Sequence, residues 1–220
     1  SGHPLTITDS NGKTTTNTYN AKGNLIKTID PSENETSFTY DFANNMKSST
    51  DAESKTTTYE YDAMKRLVKT TDASGGITTF SYGTGCSSCG GSDNLTSLTD
   101  PKNQATTFTY DKGLMIKETN PLGKRKTNLY NKNKQITGIV DYKGQTTTFA
   151  YDALGRLKAK TTADDTFTFT YDPLGRMTSA KNNTSDIAFT YDTKGSLTGE
   201  KDNAKNTQIT YTYDNYGNRI

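Results

Sequence analysis

The residues best suited to chemistry are Cys86 and Cys89, the only two cysteines, in the run SYGTGCSSCGGSDN at 81–94. Two thiols at this spacing could close a disulfide that staples a loop, supply half of a structural metal site, or stay free. A tetrahedral metal site needs two more ligands, and His3 is the only histidine, so those ligands would have to come from outside this chain. A thioredoxin-like redox pair wants a helix N-terminus to lower the thiol pKa, and no helix is expected here. The repeated aspartates raise the question of calcium, which needs six to eight converging oxygens. They fall about ten residues apart, one per turn, and therefore read as turn caps. Arg66, Arg156 and Arg176 each follow a turn. They are expected to pair with the turn aspartate or lie over a tyrosine ring rather than face a ligand. With one histidine near the terminus and no carboxylate pair singled out, neither a histidine-based triad nor paired acid–base chemistry is visible. The expectation is a protein that is not an enzyme, with no catalytic residues, no cofactor and no bound metal.

These side chains sit in a monotonous scaffold. Tyrosine followed by Asp, Asn or Gly recurs at Tyr19, Tyr40, Tyr61, Tyr82, Tyr110, Tyr130, Tyr151, Tyr171, Tyr191 and Tyr213. Successive spacings are 20–22 residues except for 28 between Tyr82 and Tyr110, the interval that holds the cysteines. Two residues earlier stands a second column: Phe38, Tyr59, Phe80, Phe108, Phe149, Phe169, Phe189 and Tyr211, with Asn17 and Asn128 as exceptions. Mostly polar residues lie between the columns. This period-two alternation puts the rings on one face of a strand and the threonines on the other, making the ten tyrosines the repeat core. Only Tyr142 and Tyr216 fall outside both columns and within turns, where they read as surface residues.

After each tyrosine comes a turn, clearest in YDALGRL (151–157) and YDPLGRM (171–177). Asp first and Gly fourth is the pattern of a type I turn closed by a G1 bulge. An aliphatic column follows: Leu25, Met46, Leu67, Ile116, Ile136, Leu157, Met177 and Leu197. A second turn of the same chemistry, as in DSNG (9–12), DASG (72–75) and NPLG (120–123), closes each unit, but its pattern fades after residue 160. Each unit of about 21 residues is thus two strands and two tight turns. Residues 1–220 read as one array of about ten units with a lengthened loop at 83–94.

Composition agrees with an all-β chain. Threonine is the commonest residue, and Tyr and Phe supply most of the large apolar surface. The hydrophobic share is only 30%, yet aromatics reach 10% and net charge is +2, which argues for a fold with a thin core rather than for disorder. Twenty-six basic residues balance 24 acidic ones without a basic block, so nucleic acid is not an expected partner. No apolar run is long enough for a membrane span, and the N-terminal SGHP, which fits the repeat poorly, is not a signal peptide.

The phased YDALGRL, YDPLGRM and YDNYGNRI motifs resemble the YD repeat, also called the Rhs repeat, over essentially the whole chain. Members occur in bacterial Rhs and wall-associated polymorphic toxins, Tc-toxin cocoon components and teneurins. The resemblance implies a ribbon of antiparallel β-hairpins coiled into a spiral or curled sheet, part of a hollow β-shell. It also implies a secreted, cell-surface or cell-wall setting, which favours the disulfide among the cysteine readings. Implied partners are the rest of a parent shell and a C-terminal toxin domain, with glycans or another surface in the alternative of an adhesion module. The chain starts within a repeat and stops just after a turn, as a fragment of a longer protein would. Edge-to-edge self-association is expected of the open strand edges.

Overall fold

The computed structural model describes residues 3–83 and 93–220. Cys86 and Cys89, with the disulfide expected of them, lie outside the described residues, as does most of the loop at 83–94. Among the described residues every element is a strand or a turn.

The chain divides into two compact units, Ser1–Gly113 and Leu114–Ile220. The first holds β1 (Thr6–Thr8), β2 (Thr14–Tyr19), β3 (Leu25–Ile29), β4 (Glu35–Tyr40), β5 (Met46–Thr50), β6 (Thr56–Tyr61), β7 (Leu67–Thr71), β8 (Ile77–Tyr82), β9 (Leu95–Thr99) and β10 (Ala105–Asp111). The second holds β11 (Leu114–Thr119), β12 (Arg125–Tyr130), β13 (Ile136–Val140), β14 (Thr146–Tyr151), β15 (Leu157–Thr161), β16 (Thr166–Tyr171), β17 (Met177–Lys181), β18 (Asp186–Tyr191), β19 (Leu197–Asp202) and β20 (Thr207–Thr210). Within each unit, each strand pairs antiparallel with the next in sequence, for example β2 with β3, β3 with β4, β14 with β15 and β15 with β16. The result is the all-β hairpin repeat expected from the tyrosine phasing.

Two kinds of hairpin alternate, and their registers differ. In those closed by the first turn, such as β14–β15, the ladder runs to the tyrosine: Phe149 faces Lys160, Ala150 faces Ala159, then a bulge lets Tyr151 face Leu157. In those closed by the second turn, such as β3–β4, the ladder covers Ile29–Glu35, Thr28–Thr36 and Lys27–Ser37 and goes no further. The strands therefore part as they approach the tyrosine end.

Both turns follow the chemistry legible in the sequence. In YDALGR the Asp152 carboxylate accepts the amides of Leu154 and Arg156 at 2.9 Å each, and the Gly155 amide donates to the Asp152 carbonyl at 3.0 Å. Gly155 has φ 80°, the left-handed conformation the bulge requires. Where the glycine is missing the conformation persists at a cost, as at Lys65 (φ 64°) and Asn44 (φ 73°). The faded second-turn pattern also resolves. Ordinary second turns close from residue i to i+4, as with the Asp141 amide on the Gln145 carbonyl at 2.9 Å. At 162–165 and 182–185 they close one residue earlier, Thr162 on Asp165 and Asn182 on Ser185, both at 2.8 Å. That lost residue produces the 20-residue spacings from Tyr151 to Tyr191.

Side chains alternate as expected. The column tyrosines are all half-buried, while Thr39, Glu60, Thr109, Ala150 and Thr170 beside them are exposed. No hydrophobic side chain among the described residues is fully buried, so the column tyrosines form a half-buried ladder within each unit, Tyr19, Tyr40, Tyr61, Tyr82 and Tyr110 in the first and Tyr130, Tyr151, Tyr171, Tyr191 and Tyr213 in the second. The buried polar side chain among the described residues is Asn128, one of the two breaks in the aromatic column.

Candidate functional site: clasps between successive turns

The parting of the strands in second-turn hairpins leaves a gap that the tyrosines bridge. Tyr40 donates its hydroxyl to the Leu25 carbonyl at 2.8 Å. The same bond joins Tyr82 to Leu67, Tyr151 to Ile136, Tyr191 to Met177 and Tyr213 to Leu197 at 2.8 Å, and Tyr171 to Leu157 at 2.9 Å. Each bond replaces a backbone bond just where the ladder has ended, which explains why the phased residue is tyrosine and not phenylalanine. Tyr130 donates to Met115 at 3.0 Å, so Met115 takes the aliphatic position that sequence spacing assigns to Ile116. The cause is a tighter turn: Lys112 and Gly113 both have positive φ, 48° and 81°, as in a two-residue type I′ turn. Tyr61 and Tyr110 make no such bond, and burial pushes both hydroxyl pKa values up.

The two asparagines in the aromatic column have the same task. Asn128 donates its side-chain N–H to the Met115 carbonyl at 3.0 Å, alongside Tyr130. Asn17 donates to the Pro4 carbonyl at 3.3 Å, and so does Tyr19. A carboxamide and a phenol thus share one acceptor at each place. Column spacing located these positions without revealing their role.

The arginines complete a clasp. Arg156 donates from Nε to Asp152 Oδ2 at 2.7 Å, and Arg176 to Asp172 at 2.6 Å. Each guanidinium then lies over the tyrosine of the next repeat, 4.7 Å from the Tyr171 centroid and 4.8 Å from that of Tyr191. It also donates to the next turn's carbonyl, Asp172 at 3.0 Å and Asp192 at 3.2 Å. Arg66 binds Asp62 at 2.7 Å and lies 4.6 Å from the Tyr82 centroid. Ion pairing and ring stacking, alternatives in the sequence, therefore occur together. The Arg66 and Arg156 backbone N–H bonds, aided by the guanidinium groups, hold Asp62 and Asp152 below the usual carboxylate range. At Asp172 desolvation pulls upward, and the Arg176 bonds outweigh it.

His3 belongs to this column although its flanking sequence fits the repeat poorly. It precedes Pro4, the acceptor of Tyr19, just as Arg156 precedes Leu157, and its ring stacks on Tyr19 at 5.1 Å and 20°. The pattern visible in the sequence was too short there to align. Of the two surface tyrosines, Tyr216 is 92% exposed, while Tyr142 is half-buried and donates to Glu118 at 2.5 Å. No group of three or more metal-ligating side chains occurs among the described residues. The turn aspartates direct their oxygens to backbone amides, as caps do.

A chain of two-strand units, most of them fastened to the last through a phased tyrosine, is a β-hairpin repeat array. The RHS Repeat family profile matches it at residues 1–35, 19–52, 40–77, 91–125, 130–166 and 151–185. The chain belongs to the RHS repeat family. Similar solved structures include TcdB2-TccC3-TEV, with 16% identity and a TM-score of 0.47 over 98% of this chain and 16% of that one. TcdB2-TccC3-Cdc42 has 16% identity and a TM-score of 0.46 with the same coverage. A porin-like protein from Bacteroides uniformis has 14% identity and a TM-score of 0.26 over 93% of this chain and 92% of that one. No curated protein matches. The chain spans 16% of the first of these solved chains.

Proposed function

We propose that this chain is wall material: a segment of an extracellular shell or rod in a bacterial secreted or wall-associated protein of the polymorphic-toxin type. The observation that carries the reading is the recurring bond from a column tyrosine to the carbonyl fifteen or so residues upstream. Chemistry repeated along most of the array serves cohesion, whereas a catalyst concentrates unlike groups at one place. On this reading the segment is not an enzyme, and its partners are further repeats of the parent shell and a toxin domain downstream. Membership of the RHS repeat family supports it. Sequencing the parent gene tests it: a variable toxin domain after further repeats is the expected result, and a parent made of this segment and a known catalytic domain alone would overturn it.

One observation favours a second reading, a module that binds glycans or a partner surface. Phe42 and Tyr216, both at turn tips, are 98% and 92% exposed. Exposed rings stack on sugar faces as readily as on protein. Saturable binding to one sugar class on a glycan array, lost in Phe42→Ala or Tyr216→Ala, would favour this reading over the first.

A further inference from the structure

The clasp column lacks its arginine in several repeats, and at Asn45 and Gln135 the substitute side chain bonds to Asp41 and to the Gly155 carbonyl. The residue five after the column tyrosine is Arg66, Arg156 or Arg176 in three repeats, and each covers the next tyrosine ring with a flat cation at 4.6–4.8 Å. His3 covers Tyr19 with a flat imidazole. The residue placed to cover Tyr40 is Asn24, whose side chain is too short to reach over the ring. It turns sideways and exchanges hydrogen bonds with Asn44 of the next turn. In place of a guanidinium there is an open groove of about 570 Å³, lined by Asn20, Asn24, Ile26, Phe38, Tyr40 and Asp41.

We propose that this groove receives the guanidinium of an arginine side chain carried by another polypeptide segment. The neighbouring clasps supply the template. The visiting plane would lie on Tyr40 and donate to the Asp41 carbonyl, as Arg156 does on Tyr171 and the Asp172 carbonyl. Ile26 and Phe38 form apolar wall suited to the arginine's methylenes. The Asp41 carboxylate, held ionised mainly by the Asn45 side chain, adds a negative charge nearby.

Two features keep the site weaker than a built-in clasp. Asn20 stands where the clasps have an aspartate, and its Oδ1 accepts the amides of Lys22 and Asn24, both at 3.0 Å. Lys22 itself lines the groove, and a second ammonium, Lys65, acts on Asp41. Lys22 Nζ lies 5.4 Å from the Phe42 centroid, and Lys65 donates to the Ala43 carbonyl at 3.2 Å. A single arginine is therefore expected to bind in the millimolar range, with tighter capture when the rest of its chain is held nearby.

The test is an NMR titration of the full 220-residue chain with N-acetyl-arginine amide, N-acetyl-lysine amide and free guanidinium ion. Saturable shifts centred on the Tyr40 ring and the Asp41 amide are expected with the arginine probe, roughly tenfold weaker with the lysine probe, which lacks the plane. Asn24→Arg should fill the groove from within, abolish the shifts and leave the melting temperature equal or higher. Asn20→Asp combined with Lys22→Ala restores the carboxylate and removes a rim charge, and should strengthen binding several-fold. As a gain-of-function control, Arg156→Ala should create a second arginine-responsive site at Tyr171. The proposal is overturned by no saturable shift, by equal response to lysine, by free guanidinium binding as tightly as the arginine probe, or by undiminished binding in Asn24→Arg. Failure here would leave the shell reading standing, since that rests on bonds already made within the chain.

Discussion

The two turn edges of the repeat use the same local chemistry and differ in what they join. At both, an Asx side chain caps the turn by accepting two backbone amides, as Asp152 does after a column tyrosine and Asp141 does at a second turn. At the tyrosine edge, neighbouring turns are further tied to each other, by tyrosine hydroxyls, arginine clasps, the Asn24–Asn44 pair and Gln135 donating to the Gly155 carbonyl at 2.8 Å. At the opposite edge such ties gather in the shortened turns, where Asp165 accepts the Asn183 amide at 3.1 Å and Asp202 accepts that of Asp186 at 3.2 Å. Turn closure and repeat cohesion are thus separate jobs. The first depends on one aspartate and one left-handed residue, the second on side chains long enough to bridge parted strands.

The sharpest way to break this contrast is to remove a ring. Tyr171→Ala deletes the hydroxyl bond to Leu157 and the seat of Arg156. It should lower the free energy of unfolding by about 2–3 kcal/mol in urea denaturation, whereas Thr146→Ala, an exposed strand-start residue near the other edge, should cost under about 0.5 kcal/mol. Equal costs would mean that cohesion is not concentrated at the tyrosine edge. A finer cut removes only the oxygen: Tyr171→Phe should cost about 1 kcal/mol, while Tyr110→Phe, whose hydroxyl makes no such bond, should be close to neutral. Lys134→Gly should stabilise by about 1 kcal/mol by relieving a left-handed side-chain residue (φ 62°), without affecting the ties between turns described above. Arg156→Lys keeps the charge but loses the planar fork, and about 0.5 kcal/mol of destabilisation is expected for this partly exposed clasp.

Acid should act on both edges. Asp30 and Asp202 at second turns, and Asp41, Asp62, Asp152, Asp172, Asp192 and Asp214 at first turns, all have lowered folded pKa values. A depressed carboxylate pKa contributes stability above the unfolded value and loses it as pH falls through the folded one. Stability should therefore hold near neutrality and decline below about pH 4, followed by circular dichroism melts at stepped pH. A melting temperature unchanged down to strongly acidic pH would remove the aspartate caps from the account.

Much of this was legible in the sequence. The strand alternation, turn types and unit length follow from local rules: period two for strands, Asp and Gly for turns. The clasps were half legible, since the arginine and aspartate spacing showed a pairing without showing that the same guanidinium reaches the next ring. The bonds across the parted strands were not legible, because they depend on where a ladder stops, a property of two strands together. Asn128 looked like an interruption for the same reason. Met115 was displaced from the expected Ile116 by a turn one residue tighter, which periodicity averages away.

The bonding tyrosines reach back a nearly constant distance along the chain, and this has a bearing on how such proteins lengthen. Duplicating or deleting a whole period at the gene level leaves every donor opposite an equivalent acceptor, so arrays can grow or shrink with their joints intact. A one-residue slip inside a strand, by contrast, would turn the donors of that unit to the wrong side. Lineages should therefore differ in the number of repeats far more freely than in strand length.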